Sequence, residues 1–132
     1  VHSTAILAGC GDVQVQSSVV RETAARQATG AHGDGIVVSA ACWGAFGRPT
    51  GEVGHSVIER NARAGIASFG ATLRLDSSAV GCNQVDLNGE DVGGEAYTFE
   101  DLGGNDCGCE GSEPACQVLS ADLVPPEPLA PE

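Results

Sequence analysis

Glycines are spread along the whole chain, nineteen of them in 132 residues, and they limit the fold to short elements. A glycine inside a helix costs about 1 kcal/mol relative to alanine, so long helices are hard to build from this sequence. Short β-branched runs such as Ile36–Ser39 stand between glycine-containing turns instead. Strands at roughly ten-residue spacing with turn residues between them predict an all-β sandwich or barrel.

The clearest strand pattern is the alternation from Ile66 to Leu75, which predicts one strand with Phe69 and Leu73 on its inward face. Thr4–Ala8 and the valines between Val13 and Val20 predict further strands near the start of the chain. We predict no internal repeat.

Three stretches are less regular. Val20–Ala28 and Glu59–Ala64 contain good helix formers, so one or two helical turns are an open alternative there. The proline-rich residues 123–132 predict an extended acidic tail that follows a single β domain at 1–122.

Charge and length exclude several functions. Eighteen acidic residues against six basic ones give a net charge of −12, which argues against nucleic acid and anionic membrane surfaces as partners. No apolar run approaches the 18 or so residues of a membrane span, so we predict no membrane insertion. The chain opens without a basic, hydrophobic signal segment, as a trimmed secreted chain would.

The cysteine count is even, and no Cys-x-x-Cys pair occurs. An even count without metal spacing favours disulfides formed in an oxidising compartment, and therefore a secreted protein. Cys107 and Cys109 should bind distant partners, because a bridge across one residue would be strained. The six cysteines are Cys10, Cys42, Cys82, Cys107, Cys109 and Cys116.

Two motifs near the end of the chain resemble a known family. Glu100–Asn105 reads EDLGGN and Gly111–Val118 reads GSEPACQV, and with Cys42 upstream they resemble the closing segment of copper/zinc superoxide dismutases. The resemblance implies a Greek-key β-sandwich and a Cys42–Cys116 disulfide. It leaves Cys10, Cys82, Cys107 and Cys109 to form two further bridges.

The same resemblance implies that the dismutase chemistry is lost. Glu113 stands at the position of the family's guiding arginine, which reverses the charge there. We therefore expect no enzyme activity and no cofactor, with Val37 and Phe99 packing together where copper would be. The four copper-ligand positions are occupied by Gly35, Val37, Ala45 and Phe99.

The remaining metal candidates are weak. Glu52 and His55 correspond to zinc-ligand positions, but two ligands without a third give little affinity. We expect His32 to support a loop, and His2 is a terminal residue. The acidic loop residues lack calcium-loop spacing and favour a solvated face; they are Asp86, Glu90, Asp91, Glu100, Asp101 and Asp106.

These observations predict a non-catalytic extracellular module with a structural, assembly or decoy-binding role, and a protein partner or self-assembly. Trp43 and Phe46, beside Cys42, would pack on a disulfide or anchor a partner. Two alternatives stay open: a residual metal-binding protein that uses Glu52, His55 and the acidic loops, and a helical type VII secretion substrate. In the type VII secretion substrate, Trp43-Gly44 would lie in the turn between two helices over 13–30 and 51–80.

Overall fold

The computed structural model describes residues 4–24, 33–41, 48–112, 115–123 and 125, and the structural statements below concern these residues. Within them the chain forms short β-strands and one 3-10 turn, Cys109–Gly111, without an α-helix. The all-β prediction is therefore confirmed. The helical alternative is wrong in its fold, because the described parts of 13–30 and 51–80 form strands and turns.

The strands follow one another in four successive rungs, each with three strands. Rung 1 contains β1 (Thr4–Gly9), β2 (Val13–Gln16) and β3 (Val19–Arg21). Rung 2 contains β4 (Asp34–Ser39), β5 (Thr50–Gly54) and β6 (Val57–Glu59). Rung 3 contains β7 (Ala64–Phe69), β8 (Thr72–Asp76) and β9 (Ala79–Gly81). Rung 4 contains β10 (Val85–Glu90), β11 (Thr98–Asp101) and β12 (Asp106–Cys107).

Strands at the same place in successive rungs pair side by side and form three four-stranded sheets. Sheet A has the order β1-β4-β7-β10, sheet B has β2-β5-β8-β11, and sheet C has β3-β6-β9-β12. Every one of these strand pairs is parallel. The described chain is a short parallel β-helix, in which each rung rests on the one before it.

This topology corrects the Greek-key prediction. A Greek key is built from antiparallel strands joined by hairpins, whereas neighbouring strands here come from different rungs and run in the same direction. Alternation of apolar and polar residues identifies a strand without identifying its partner, because a parallel and an antiparallel neighbour bury the same face.

The prediction that the sequence lacks an internal repeat is also wrong. The segments Ser18–Ala24, Ser56–Ala62 and Ser78–Gln84 occupy equivalent turns and strands of rungs 1, 2 and 3. Equivalent residues of these three segments are 38 positions apart between rungs 1 and 2 but 22 apart between rungs 2 and 3. The unequal spacing hides the repeat from a search at a fixed period.

The strand predicted over Ile66–Leu75 is two strands that meet at a corner. Gly70 has φ +65°, a left-handed conformation that glycine adopts without steric cost, and it turns the chain from β7 into β8. Ile66 and Leu73 both contribute to the main core. Phe69 lies in a second buried cluster, so its predicted place beside Leu73 on one inward face is wrong.

The main core consists of aliphatic columns that run through the rungs. In sheet A, Ile6, Ile36, Ile66 and Leu87 are in register. In sheet C, Val20, Ile58, Val80 and Cys107 form the corresponding column. Because each column places an apolar side chain about every 4.8 Å, apolar contacts continue through the four rungs.

The second cluster contains Phe69, Val37 and Ala67, with Leu123 packed against it. Residue 123, where we predicted that an extended tail begins, therefore still contacts the β-helix. Residues 124 and 126–132 lie outside the described residues.

Candidate functional site

The outer face of sheet B carries a continuous column of long polar side chains. Gln14, Glu52, Arg74 and Glu100 occupy the same register in rungs 1 to 4. The Arg74 guanidinium donates to Glu52 Oε1 and to Glu100 Oε2, both at 2.9 Å. Gln14 Nε2 donates to Glu52 Oε2 at 3.2 Å. Each side chain of the column therefore bonds to its neighbour in the next rung.

A column of threonines lies beside this polar column. Thr50, Thr72 and Thr98 are in register in rungs 2 to 4. The hydroxyls of Thr72 and Thr98 are 2.7 Å apart, and Asp12 Oδ1 accepts the backbone N–H of Thr50 at 2.8 Å. Sheet B consequently presents an ordered polar face along the solenoid axis.

Glu52, a predicted metal candidate, belongs to this face. Both of its carboxylate oxygens accept hydrogen bonds, so a metal ion would have to displace Arg74 or Gln14. His55 is exposed in the turn after β5, where its φ is +48°. The described residues contain no group of three or more histidine, cysteine, aspartate or glutamate side chains placed to hold a metal ion.

The predicted copper-ligand positions do not meet in one site. Gly35 and Val37 lie in β4 of sheet A, whereas Phe99 lies in β11 of sheet B. Val37 belongs to the second cluster and Phe99 packs against the main core, so the prediction that they pack together is wrong. Ala45 and Glu113 lie outside the described residues.

The disulfides correct the predicted pairing. Cys116 is bonded to Cys107, so the predicted Cys42–Cys116 bridge is wrong. Cys82 is bonded to Cys109, which joins rung 3 to the turn after rung 4. Cys107 and Cys109 do not bond to each other, as predicted, but Cys107 bonds to Cys116, so the prediction that Cys10, Cys82, Cys107 and Cys109 form two bridges among themselves is wrong. Cys10 is also disulfide-bonded, and Cys42 lies outside the described residues.

Two ladders of small polar side chains connect the rungs at their turns. In the turn between sheets B and C, the backbone N–H of Ser18 donates to Ser56 Oγ, and that of Ser56 to Ser78 Oγ, both at 3.1 Å. The next step uses Asn105, whose Oδ1 accepts the N–H of Ser78 at 2.9 Å. Each of these side chains satisfies a backbone donor that the turn leaves without a strand partner.

The second ladder lies in the turn that leads from sheet C to the next rung. Asn61 Oδ1 accepts the N–H of Thr23 at 3.1 Å, and Asn83 Oδ1 accepts the N–H of Asn61 at 2.9 Å. Asp86 continues the ladder by accepting the N–H groups of Asn83 and Gly108. Neither ladder was predicted from the sequence. The pattern that indicates them is a serine followed five residues later by threonine or asparagine, and this pattern recurs in the three repeated segments.

A buried ion pair joins rungs 2 and 3. The Asp34 side chain is fully buried, and both of its oxygens accept from the Arg63 guanidinium, with Arg63 Nε at 2.8 Å. Asp34 Oδ1 also accepts the N–H of Ala64 at 3.0 Å. A pair of this kind is strongly destabilising to break, because one charge stays buried without its partner.

Of the acidic loop candidates, Glu90 binds the C-terminal segment of the described chain. Its carboxylate accepts from the hydroxyl of Ser120 and from the N–H groups of Ala121 and Leu123, the last two at 3.1 and 3.0 Å. Asn88 Oδ1 also accepts the N–H of Ala121. Burial raises the pKa of Glu90, but the hydrogen bonds together outweigh burial and lower that pKa below its ordinary value.

The other acidic candidates have separate local surroundings. Asp91 Oδ1 accepts the N–H of Tyr97, and Asp101 Oδ1 accepts from Gly103 N and Asn105 Nδ2. Asp106 is exposed at the start of β12. His2, His32, Trp43 and Phe46 lie outside the described residues.

The grooves on the described surface are shallow. One of about 500 Å³ is lined by residues of sheet C, among them Val57, Glu59, Ala79 and Gly81, and by Glu110. Another, of about 640 Å³, lies between rung 4 and residues 115–121. Within the described ranges, no helix is long and apolar enough to cross a membrane.

Comparisons with protein-family models, with curated proteins and with solved structures find no match to this chain.

Proposed function

We propose that this chain is a non-catalytic extracellular module with a structural role, a disulfide-stapled β-helix that serves as a rigid unit of an assembly. One observation supports it above all: the polar side chains best suited to chemistry are engaged in bonds between rungs. Glu52 and Arg74 bond within the sheet B column, and Asp34 and Arg63 bond across rungs 2 and 3. Groups held in this way stiffen a scaffold, whereas a catalytic group needs a lone pair or a proton that is free to engage the substrate.

Extracellular location is part of the proposal. Disulfides persist in oxidising compartments and are rare in the cytosol. The Cys82–Cys109 and Cys107–Cys116 bridges both lie at the rung 4 end, where the last rung has no further rung to rest on among the described residues.

A relationship to copper/zinc superoxide dismutases stays a prediction. Its consequence for the fold, a Greek key, does not correspond to the parallel sheets described above. The non-catalytic role does not depend on that relationship, because it rests on the bonding of the polar side chains in this chain.

Metal analysis tests the proposal. The protein is incubated with Cu²⁺ or Zn²⁺ and dialysed, and its metal content and superoxide dismutation rate are then measured. We expect far less than one metal ion per chain, dismutation no faster than that of free copper, and an unfolding midpoint that a chelator does not change.

The same experiment addresses the alternative metal-binding role of Glu52 and His55. One bound ion per chain, lost in both Glu52→Gln and His55→Ala, would overturn the structural proposal in favour of metal binding. Gln14→Ala is the matched control, because it touches the same column and removes no candidate ligand.

A further inference from the structure

The charged side chains of sheets B and C differ in their bonding. On sheet B, Arg74 bonds to a glutamate in each neighbouring rung, so the charges of that face are paired. On the sheet C side, the side chains of Glu59, Asp106 and Glu110 form no hydrogen bond or ion pair in the described part of the chain. Surface charges left unpaired in this way are available to a partner of opposite charge.

These three carboxylates line the groove of about 500 Å³, which we call the sheet C groove. Its middle follows β9, which lies between β6 of rung 2 and β12 of rung 4. Val80 points into the main core, so Ala79 and Gly81 face outward with only a methyl group and a hydrogen atom. Val57 and Asp106 flank Ala79 in register and carry larger side chains. The result is a depression parallel to the strands, with a described rung on each side.

The lining of the sheet C groove combines apolar surface with negative charge. Val57 is 37% exposed there, and three carboxylates stand against one guanidinium, that of Arg60. The described residues hold no group of three or more acidic, histidine or cysteine side chains placed to bind a metal ion, so these carboxylates are too dispersed to share one small cation. A matching ligand carries positive charges at separate points on aliphatic stems, as lysine and arginine side chains do.

The width of the depression indicates an extended ligand. β6 and β12 are two strand spacings apart, about 9.6 Å, which admits a single extended chain. A helix with its side chains, about 10–12 Å in diameter, is too wide to enter.

We propose that the sheet C groove binds an extended basic segment of a partner protein. Aliphatic stems of its lysine or arginine side chains pack on Val57 and Ala79, and the cationic ends meet the carboxylates of Glu59, Asp106 and Glu110. A second copy of this chain is a poorer occupant, because each copy carries a net charge of −12 and the copies repel each other. The proposal rests on the assembly role under the proposed function, but failure of peptide binding leaves the metal and dismutation outcomes unchanged.

A charge-matched pair of variants tests the location. The probe is a fluorescein-labelled peptide of alternating lysine and alanine, and fluorescence anisotropy at low ionic strength measures its dissociation constant. Asp106→Asn and Asp122→Asn each remove one exposed carboxylate, but only Asp106 lines the sheet C groove. We expect Asp106→Asn to weaken binding about fivefold, the scale of one exposed ion pair, and Asp122→Asn less than about twofold. Equal weakening by both would show attraction to the net charge alone and overturn the proposal.

Ala79→Leu tests the shape of the sheet C groove without changing its charge. The larger side chain fills the depression, so we expect peptide binding to weaken about tenfold or more. Ala5→Leu is the control, because it places the same side chain at an exposed strand position of sheet A and should keep wild-type binding. Circular dichroism verifies that both variants fold. Peptide binding that survives in folded Ala79→Leu would contradict the proposal.

Amide chemical shifts of the wild type give a readout that needs no variant. On addition of the peptide, the amide signals of Ala79 and Gly81 should move, while that of Thr72 on sheet B should not. Absence of binding, or shifts confined to sheet B, would refute the proposal. Competition by spermine as strong as that by the peptide would assign the groove to a free polyamine instead. A wild-type dimer in sedimentation that Ala79→Leu abolishes would assign it to a second copy.

Discussion

At the scale of single residues, the β-helix depends on short polar side chains that replace missing backbone partners. Left-handed residues such as Arg60 and Cys82 turn the chain out of sheet C, and the asparagine that follows each one bonds to the neighbouring rung. An unsatisfied buried donor or acceptor costs about 1–3 kcal/mol, so each hydrogen bond of the asparagine ladder contributes to stability on that scale.

Asn83→Ala tests this contribution. The change removes the acceptor for the Asn61 N–H and the donor to Ile58 O, and we expect it to lower the free energy of unfolding by about 2 kcal/mol. The measurement is the urea midpoint. Gln84→Ala, at the exposed next position, should change stability by less than about 0.5 kcal/mol. Equal effects of the two substitutions would contradict a structural ladder.

At the scale of elements, residues 119–123 are held against sheet A by β10 rather than by a helix or hairpin of their own. Leu119 pairs with Asn88, Glu90 accepts three hydrogen bonds from the segment, and Leu123 packs on the second cluster. One carboxylate therefore fixes most of the segment.

The lowered pKa of Glu90 predicts how this attachment depends on pH. A carboxyl whose folded pKa lies below its ordinary value of 4.5 contributes stability above that pH, and the contribution is lost as pH falls through the folded pKa. Glu90→Gln should therefore be less stable than the wild type at pH 7, by about 1 kcal/mol, with the difference vanishing near pH 2. Thermal midpoints from pH 7 to pH 2 measure it.

Asp122→Asn is the control for that series. Asp122 lies in the same segment and is exposed, and its carboxylate makes none of the hydrogen bonds of Glu90. A stability difference that persists for Glu90→Gln at pH 2 would show that Glu90 acts through packing rather than through its charge.

At the scale of the whole molecule, the solenoid is continuous through its rungs, and two disulfides close its rung 4 end. The Cys82–Cys109 bridge spans 27 residues and the Cys107–Cys116 bridge spans 9. Loop-closure entropy assigns about 3.5 kcal/mol to the longer bridge and about 2.5 kcal/mol to the shorter one.

Paired serine substitutions test which of the two bridges stabilises the fold more. Cys82→Ser with Cys109→Ser should lower the free energy of unfolding by about 1 kcal/mol more than Cys107→Ser with Cys116→Ser. Urea unfolding measures both, and peptide mapping without reduction verifies the two bridges in the wild type. A larger loss from the shorter bridge would indicate that it holds the rung 4 end by native contacts instead of by chain entropy.

The sequence by itself determined the short strands, their turns and the use of disulfides. Those features are local: β-branched runs such as Ile36–Ser39 favour strands, the glycines between such runs favour turns, and an even cysteine count favours bridges. Even Ile66–Leu75 was correctly predicted as β, although the corner inside it was missed because its apolar pattern continues past Gly70.

Only the tertiary structure decided which strands are neighbours, which cysteines pair and which polar residues matter. Alternation gives a strand a buried face but leaves its partner and direction undetermined, so the sheets could be assigned as a Greek key or as stacked parallel rungs. Cys116 bonds to Cys107 because rung 4 brings them close, whatever motif surrounds Cys116. Glu52 bonds to Arg74, 22 residues away, because one turn of the solenoid brings them into register.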